Sequence, residues 1–293
     1  MPRSYKKEEK YWRLPNLAQV PQNVRDNCKV YNDFRVTDVA LGEGSYGKVS
    51  EACKGTDCDY VAKEITFDFS RFGAKYVYNI FFGEALMTKR AGANGYGIPV
   101  HGFFLCDGGK KGVIVMDRYS GDLHQIRRQL NWTELKKVLD LVIKMHKDGV
   151  LHRDLFLKNI MYNDTTKGRK YAIIDFGLAI AFGRYIPSVL RAIDFVNLAS
   201  GLPQDLAEKL YVYVAPHVGQ KALLTAAEWK QQHYDKCSSE YYLLKYLPAY
   251  IWKMYGPAVS DLLVWSTRCS KDLDTDINRR IEADLIRKGL ETR

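Results

Sequence analysis

The sequence lacks any uninterrupted apolar run of the length that a transmembrane helix requires, which is about 18 residues or more. Residues 1–10 are polar and charged, and they lack the apolar stretch that marks a secretory signal. We therefore expect no membrane insertion. We also expect an intracellular, reducing compartment, of which the cytoplasm is the favoured one.

Cysteine is sparse and scattered, with six residues in a chain of 293. Cys53 and Cys58 are close together in the sequence, but no second pair of Cys or His follows at the spacing of a zinc finger. We therefore expect buried or half-buried free thiols rather than a structural zinc site.

The sequence shows no basic helix, helix-turn-helix pattern or aromatic RNA-binding strand to accompany its net charge of +10. Positive charge by itself favours phosphates and acidic partners. It does not define a nucleic-acid-binding protein without such a motif. We expect no specific nucleic-acid partner, and acidic substrates are favoured.

The length and the hydrophobic content of 46% are sufficient for one substantial core or two smaller ones. Residues 1–33 are polar, contain prolines and show no sustained periodicity, which predicts an N-terminal extension. A β-rich stretch follows over residues 34–116, and residues 117–293 are mainly helical in pattern. This order predicts an α+β fold with two lobes, the first a small antiparallel sheet with one main helix.

Local patterns predict the elements of both parts. Alternating β-type residues predict three antiparallel strands, a 3.6-residue period predicts helices, and Asn131 with Glu134 has the form of a helix N-cap. The predicted strands are 34–41, 48–53, 60–65, 101–106, 112–116, 159–163 and 170–175, and the main predicted helices are 76–90 and 131–149, with a last helix from about residue 274.

The first chemical motif is a glycine-rich turn of the form G-x-G-x-x-G-x-V, with glycine at positions 42, 44 and 47. Glycine lets a phosphate approach the backbone closely because it has no Cβ. The motif alone is weak, since a dinucleotide-binding turn has the same glycines, but that fold requires a following helix. Here β-type residues follow, which favours a flap between two strands.

A lysine and a carboxylate follow this turn. Lys63 lies on the third predicted strand, where a lysine can pair with the α- and β-phosphates of a nucleotide. Glu84 is the one acidic residue between residues 70 and 106, and it lies within an apolar helical run. Because burial of an unpaired carboxylate is costly, we expect an ion pair between Lys63 and Glu84.

The central motif reads His-Arg-Asp-Leu-Phe-Leu-Lys-Asn and ends at Asn159, and Asp-Phe-Gly begins at Asp175. Phosphoryl transfer depends on positioning and on charge neutralisation. Asp154 is the candidate general base, and Lys158 can neutralise charge on the γ-phosphate. Asn159 and Asp175 offer the oxygen ligands that Mg²⁺ prefers.

This order of motifs resembles the eukaryotic-type protein kinase superfamily over about residues 34–200. The resemblance implies a kinase N-lobe at 34–116, a hinge and C-lobe at 117–293, and ATP and Mg²⁺ as cofactors. It also implies catalytic roles for Asp154, Lys158, Lys63 and Glu84. The positions that it assigns to ATP, besides Lys63, are Leu41, Gly42, Gly44, Gly47, Val49, Val61, Met116, Asp117, Tyr119 and Met161.

The chain departs from the family pattern in two places. Lys158 stands four residues after Asp154, whereas typical serine/threonine kinases carry a lysine two residues after the aspartate. No Ala-Pro-Glu follows, and Asp194, the candidate for the buried aspartate that anchors the catalytic loop, is only 19 residues after Asp175. The activation segment is therefore short, as in compact atypical kinases, with Tyr185 and Ser188 as its candidate phosphorylation sites.

These features leave several functions open. A protein kinase for serine or threonine is favoured by the complete catalytic set. A kinase for a small molecule, sugar or lipid headgroup is the alternative. The activation segment usually forms the platform on which a peptide substrate docks, and in this chain that segment is short. A non-catalytic pseudokinase is disfavoured, since no catalytic residue is missing.

Overall fold

A computed structural model of the chain describes residues 24–44, 47–69, 74–166, 168–182, 186 and 188–233. These residues form two compact units, one from those within residues 1–121 and 161–177 and the other from those within residues 122–160 and 178–293. Strands dominate the first unit and helices dominate the second, which confirms the predicted α+β class. None of the helices within the described ranges has the length and apolar character needed to span a bilayer.

The first unit is built on a seven-stranded sheet in the order β1-β6-β7-β5-β4-β3-β2. The meander β3-β4-β5 and the pairs β5-β7 and β6-β7 are antiparallel, as the alternating sequence predicts. The strands are β1 Val24–Arg25, β2 Val30–Tyr31, β3 Phe34–Gly44, β4 Gly47–Lys54, β5 Asp57–Thr66, β6 Val100–Cys106 and β7 Lys111–Asp117.

Two short strands close this sheet. β1 pairs in parallel with β6 at one edge, and β2 pairs with β3 at the other edge. Because only four residues join β1 to β2, the sheet must curl until its edges approach each other. Tyr31 stacks on Phe104 with ring centroids 4.8 Å apart, and this contact holds the closing segment in place. Strands β1 and β2 therefore add residues 24–25 and 30–31 to the sheet. Residues 1–23 lie outside the described ranges.

The four cysteines among the described residues are paired, contrary to the expectation of free thiols. Cys28 forms a disulfide with Cys106, and Cys53 forms one with Cys58. The two cysteines of the first pair are 78 residues apart in sequence. They meet because β1, which precedes Cys28, runs beside β6, which ends at Cys106. The second pair lies on adjacent strands of one hairpin. Cys237 and Cys269 fall outside the described residues, and the predicted reducing compartment stays a prediction.

A long helix, α1 (Ala74–Ala93), completes the core of the described part of the first unit. Its Phe81 is 1% exposed and packs in a cluster with Leu105 and Ile114 of the sheet. Gly112 of β7 makes room for that ring, because a Cβ there would lie 2.4 Å from it.

The second unit is helical around α2 (Trp132–Lys147). The predicted N-cap is present as a full capping box, in which Asn131 and Glu134 each bond the other's backbone N–H. The helix ends before Gly149, whose φ of 77° suits glycine. The other elements of this unit are β9 Val150–Leu151, β12 Ile180–Ala181, α3 Ser188–Ala199, α4 Gln204–Val218 and α5 Gln220–His233. β10 Ile160–Thr165 and β11 Gly168–Ile173 fall almost wholly in the first unit, and β8 Gly121–Asp122 spans the boundary in sequence.

The helix predicted from about residue 274 and the candidate phosphorylation site Tyr185 lie outside the described residues. Ser188 begins α3. The domain limits at residues 33 and 116 stay a prediction.

Candidate active site

The first unit brings one lysine and two carboxylates together. Lys63 Nζ lies 2.5 Å from Glu84 Oε1, which is the expected ion pair, and 3.5 Å from Asp175 Oδ1. Burial alone would lower the pKa of Lys63, but the charges of Glu84 and Asp175 outweigh burial and raise it. Lys63 is therefore a permanent cation at neutral pH, held where a phosphate could replace water around it.

Each of these three groups is fixed by its own element. Lys63 lies in the middle of β5, paired with Val49 on one side and Ile114 on the other. Glu84 comes from α1 and is only 6% exposed. Asp175 has φ of 62°, a left-handed conformation that aspartate adopts more readily than most residues. The site therefore combines a strand, a helix and a strained turn.

The glycines of the phosphate turn have different roles in the structure. Gly42 has open space around it, since no atom lies within 4 Å of a Cβ built there. Gly47 has φ of 148°, and a Cβ there would lie 2.1 Å from the carbonyl oxygen of Glu64 on β5. Gly42 therefore fits close approach of a ligand, whereas Gly47 is required by the sheet itself. Gly44 ends β3, and residues 45–46 are outside the described ranges.

The residues assigned to the adenine base also lie in the first unit. Val61 pairs across strands with Met116, and Met116 packs against the apolar cluster around Phe81. Val49 lies on β4, Met161 is half-buried on β10, and Leu41 is 39% exposed on β3.

The predicted hinge begins at the end of β7. Asp117 Oδ1 lies 2.6 Å from His101 Nε2, so this carboxylate has a partner of its own. The backbone N–H of Arg118 donates to Asp59 O, and its guanidinium bonds Glu51. Burial, with a smaller contribution from the charge of Asp117, raises the pKa of the Tyr119 hydroxyl. These contacts tie the predicted hinge to the hairpin of β4 and β5.

The catalytic loop lies in the second unit. Asn159 donates from Nδ2 to Asp154 Oδ2 at 2.9 Å and to the Asp154 carbonyl at 2.7 Å. Lys158 Nζ lies 3.7 Å from the same carboxylate, and its side chain is 62% exposed. The amide of Asn159 thus orients the carboxylate that the sequence singles out as base, while Lys158 extends into solvent beside it.

Asp194 anchors this loop, in the role expected for it. Its carboxylate is fully buried and accepts from the backbone N–H of His152 at 3.0 Å and of Arg153 at 2.8 Å. Its Oδ2 also lies 2.9 Å from His146 Nε2. Sequence reasoning missed His146, although its place one turn after Val142 on the buried face of α2 could have indicated an inward-facing residue.

Arg153 adopts a conformation that only the surrounding bonds make tolerable. Its φ is 76°, which costs a non-glycine residue about 1–2 kcal/mol. Its guanidinium Nη1 donates to the carbonyl of Leu178 at 2.9 Å. The side chain therefore has a structural partner that is not a phosphate.

Each of the two predicted magnesium ligands offers an oxygen atom. Because the Asn159 amide nitrogen is donating to Asp154, its carbonyl oxygen is the acceptor that remains for a ligand. Asp175 offers a half-buried carboxylate. Oxygen donors of this kind are the ones that Mg²⁺ prefers.

Comparison with known proteins shows the family of the chain. The protein kinase domain family model matches residues 35–192, more than half of the chain. The chain is 34% identical to human ribosomal protein S6 kinase alpha-4 over 96 residues, which cover 30% of this chain and 12% of that protein. The chain belongs to the protein kinase domain family. It spans only a small part of that human relative.

Proposed function

We propose that the chain is an ATP- and Mg²⁺-dependent serine/threonine-protein kinase. One observation supports this proposal: the lysine and the base that phosphoryl transfer would use are each held by a partner. Lys63 is held by Glu84, and Asp154 is oriented by Asn159. A pseudokinase would be expected to have lost at least one of them.

In the proposed reaction, Lys63 binds the α- and β-phosphates, and the backbone at Gly42 covers them. Asn159 and Asp175 would hold Mg²⁺, which when bound neutralises charge on the phosphates. Asp154 orients the acceptor hydroxyl and takes its proton as the γ-phosphoryl group is transferred. Lys158 stabilises the negative charge on the transferring group.

Protein as the acceptor is supported by the human relative, whose name is that of a kinase for a ribosomal protein. The basic balance of the chain favours acidic substrates. A second candidate, a kinase for a small hydroxyl compound, is favoured by one observation. Helix α3 begins at Ser188, only 13 residues after Asp175, which leaves little chain for a peptide platform.

The test is transfer of labelled phosphate from ATP with Mg²⁺ to a mixture of acidic and basic proteins. The matched variants are Asp154→Asn, which keeps the shape of the side chain, and Asp164→Asn, an exposed aspartate paired with Arg169. Loss of a general base should lower the transfer rate about 10²- to 10⁴-fold. The exposed control should transfer at the wild-type rate.

Phosphoamino-acid analysis of the labelled proteins then decides the acceptor. Label on serine or threonine that Asp154→Asn loses supports the proposal. Label on tyrosine alone would refute the specificity, and turnover only with sugars or lipid headgroups would favour the second candidate. Transfer that survives in Asp154→Asn at the wild-type rate would refute the assigned base.

A further inference from the structure

The hairpin of β4 and β5 carries a cluster that the kinase reaction does not use. One ligand atom each from Glu51, Cys53 and Cys58 lies within 4.8 Å of the others. Cys53 is 2% exposed, and the other two side chains are half-buried.

The strand geometry explains why these three side chains meet. Glu51 and Cys53 are two residues apart on β4, so they point to the same face of the sheet. Ala52 pairs with Tyr60 and Lys54 pairs with Asp57, so that Cys58 and Asp59 together oppose Cys53. This β-bulge shifts the alternation of β5 by one residue and turns Cys58 toward the face of Glu51 and Cys53.

We propose that Cys53, Cys58 and Glu51 form a binding site for a thiophilic divalent cation, Zn²⁺ or its analogues, when the two cysteines are reduced. Thiolates and carboxylates are both ligands of zinc, and water takes the fourth position of the tetrahedron where three protein ligands are present. In the oxidised hairpin the same sulfur atoms form the disulfide. In the reducing compartment that the sequence predicts, they are available to a metal.

The carboxylate is already oriented for this role. Glu51 Oε2 accepts a hydrogen bond from Arg118 Nη1 at 2.9 Å, and Oε1 accepts a long one from Thr37 Oγ1 at 3.5 Å. These bonds fix the side chain, and each carboxylate oxygen keeps a second lone pair for a ligand. Hydrogen bonds to a metal-binding carboxylate from outside the ligand set typically strengthen the site. Metal binding would therefore connect the hairpin to Arg118 in the predicted hinge.

Opening the disulfide requires a named reductant. A phosphine with one water molecule converts the disulfide into two thiols and becomes the phosphine oxide, so that two electrons and two protons pass to sulfur. Binding of the cation then displaces the thiol protons. The sulfur atoms must separate to about 3.8 Å, the spacing of two thiolates on a tetrahedral zinc ion.

The experiment is titration of the full chain with Co²⁺ after phosphine treatment and anaerobic removal of the phosphine. The proposal predicts thiolate-to-cobalt charge-transfer absorption that saturates at one cation per chain and is displaced by Zn²⁺. The variant with Cys53→Ser and Cys58→Ser should lose this absorption, and Glu51→Gln should bind at least about tenfold more weakly.

Two controls separate this site from other thiols. The variant with Cys28→Ser and Cys106→Ser, and a variant with Cys237→Ser and Cys269→Ser, should keep the absorption. Mass spectrometry after alkylation reports the redox state of the hairpin. The proposal is wrong if the Cys53–Cys58 disulfide resists native reduction, or if its double variant binds Co²⁺ as the wild type does. Unchanged affinity in Glu51→Gln would remove Glu51 from the ligand set.

Discussion

Replacement of Asp194 tests how the catalytic loop is held. Its buried carboxylate accepts two backbone N–H groups, those of His152 and Arg153. A hydrogen bond to a charged group contributes about 1.5–3 kcal/mol, so loss of both in Asp194→Ala should lower the free energy of unfolding by about 3–6 kcal/mol. That is a large part of the about 5–15 kcal/mol that stabilises a typical protein.

Asp194→Asn should lower the free energy of unfolding by less than Asp194→Ala, because the carboxamide keeps one acceptor oxygen. A carboxamide has one acceptor oxygen and one NH₂ group. If the oxygen takes the place of Oδ2, the bond from His152 remains and that from Arg153 is lost; the opposite orientation reverses this. At least one backbone N–H therefore loses its acceptor, and we expect a cost of about 2 kcal/mol.

The assay is urea unfolding of each variant at equilibrium, beside the control Asp205→Asn. Asp205 is 68% exposed and pairs only loosely with Lys209, at 3.7 Å, so its replacement should change the unfolding free energy by less than about 0.5 kcal/mol. The reasoning would be refuted if Asp194→Ala fell within about 1 kcal/mol of the wild type. It would also fail if Asp194→Asn were no more costly than the control.

Three further predictions follow from the first unit. Gly47→Ala should reduce folded yield and melting temperature, because its Cβ would strike the Glu64 carbonyl, whereas Gly42→Ala should leave the melting curve unchanged and weaken ATP binding in calorimetry. Because the folded-state pKa of Lys63 is raised, its stabilising charge is fully present below the unfolded pKa of about 10.4 and is lost as the pH rises through the folded value. The difference in unfolding free energy between the wild type and Lys63→Met should therefore be constant from neutral pH to about 10 and shrink above it, as measured by urea unfolding across pH. Cys28→Ser should lower the unfolding free energy by about 4.5 kcal/mol in the chain-entropy estimate for a loop closed over 78 residues, and a reductant should remove the difference from the wild type.

The elements that the sequence predicted well are those with a local cause. The capping box at Asn131 and the alternating strands of the β3-β4-β5 meander depend on residues near one another in the chain. The pairing of Cys28 with Cys106 depends on two strands at opposite edges of a curled sheet. No local pattern encodes that contact, which is why Cys28 and Cys106 were expected in error to be free thiols.

The residues of the candidate site also differ in whether a local pattern could predict them. The identities of Lys63 and Asp154 follow from motifs, and the need to pair a buried carboxylate pointed to Glu84. His146 was missed because its partner, Asp194, is 48 residues away in sequence. A histidine on the apolar face of a helix is interpreted as a core residue until its hydrogen-bonding partner is known.

The two glycines at the ends of the phosphate turn show what a motif can hide. Both satisfy the same pattern, and the sequence assigns both to phosphate binding. In the structure only Gly42 has space into which a ligand could come, because Gly47 is already pressed against the backbone of β5. A pattern records which residue type is tolerated at a position, but the type can be required by the fold at one position and by a ligand at another. Gly47 is therefore required by the packing of the sheet, whereas Gly42 is exposed and has room for the proposed nucleotide beside it.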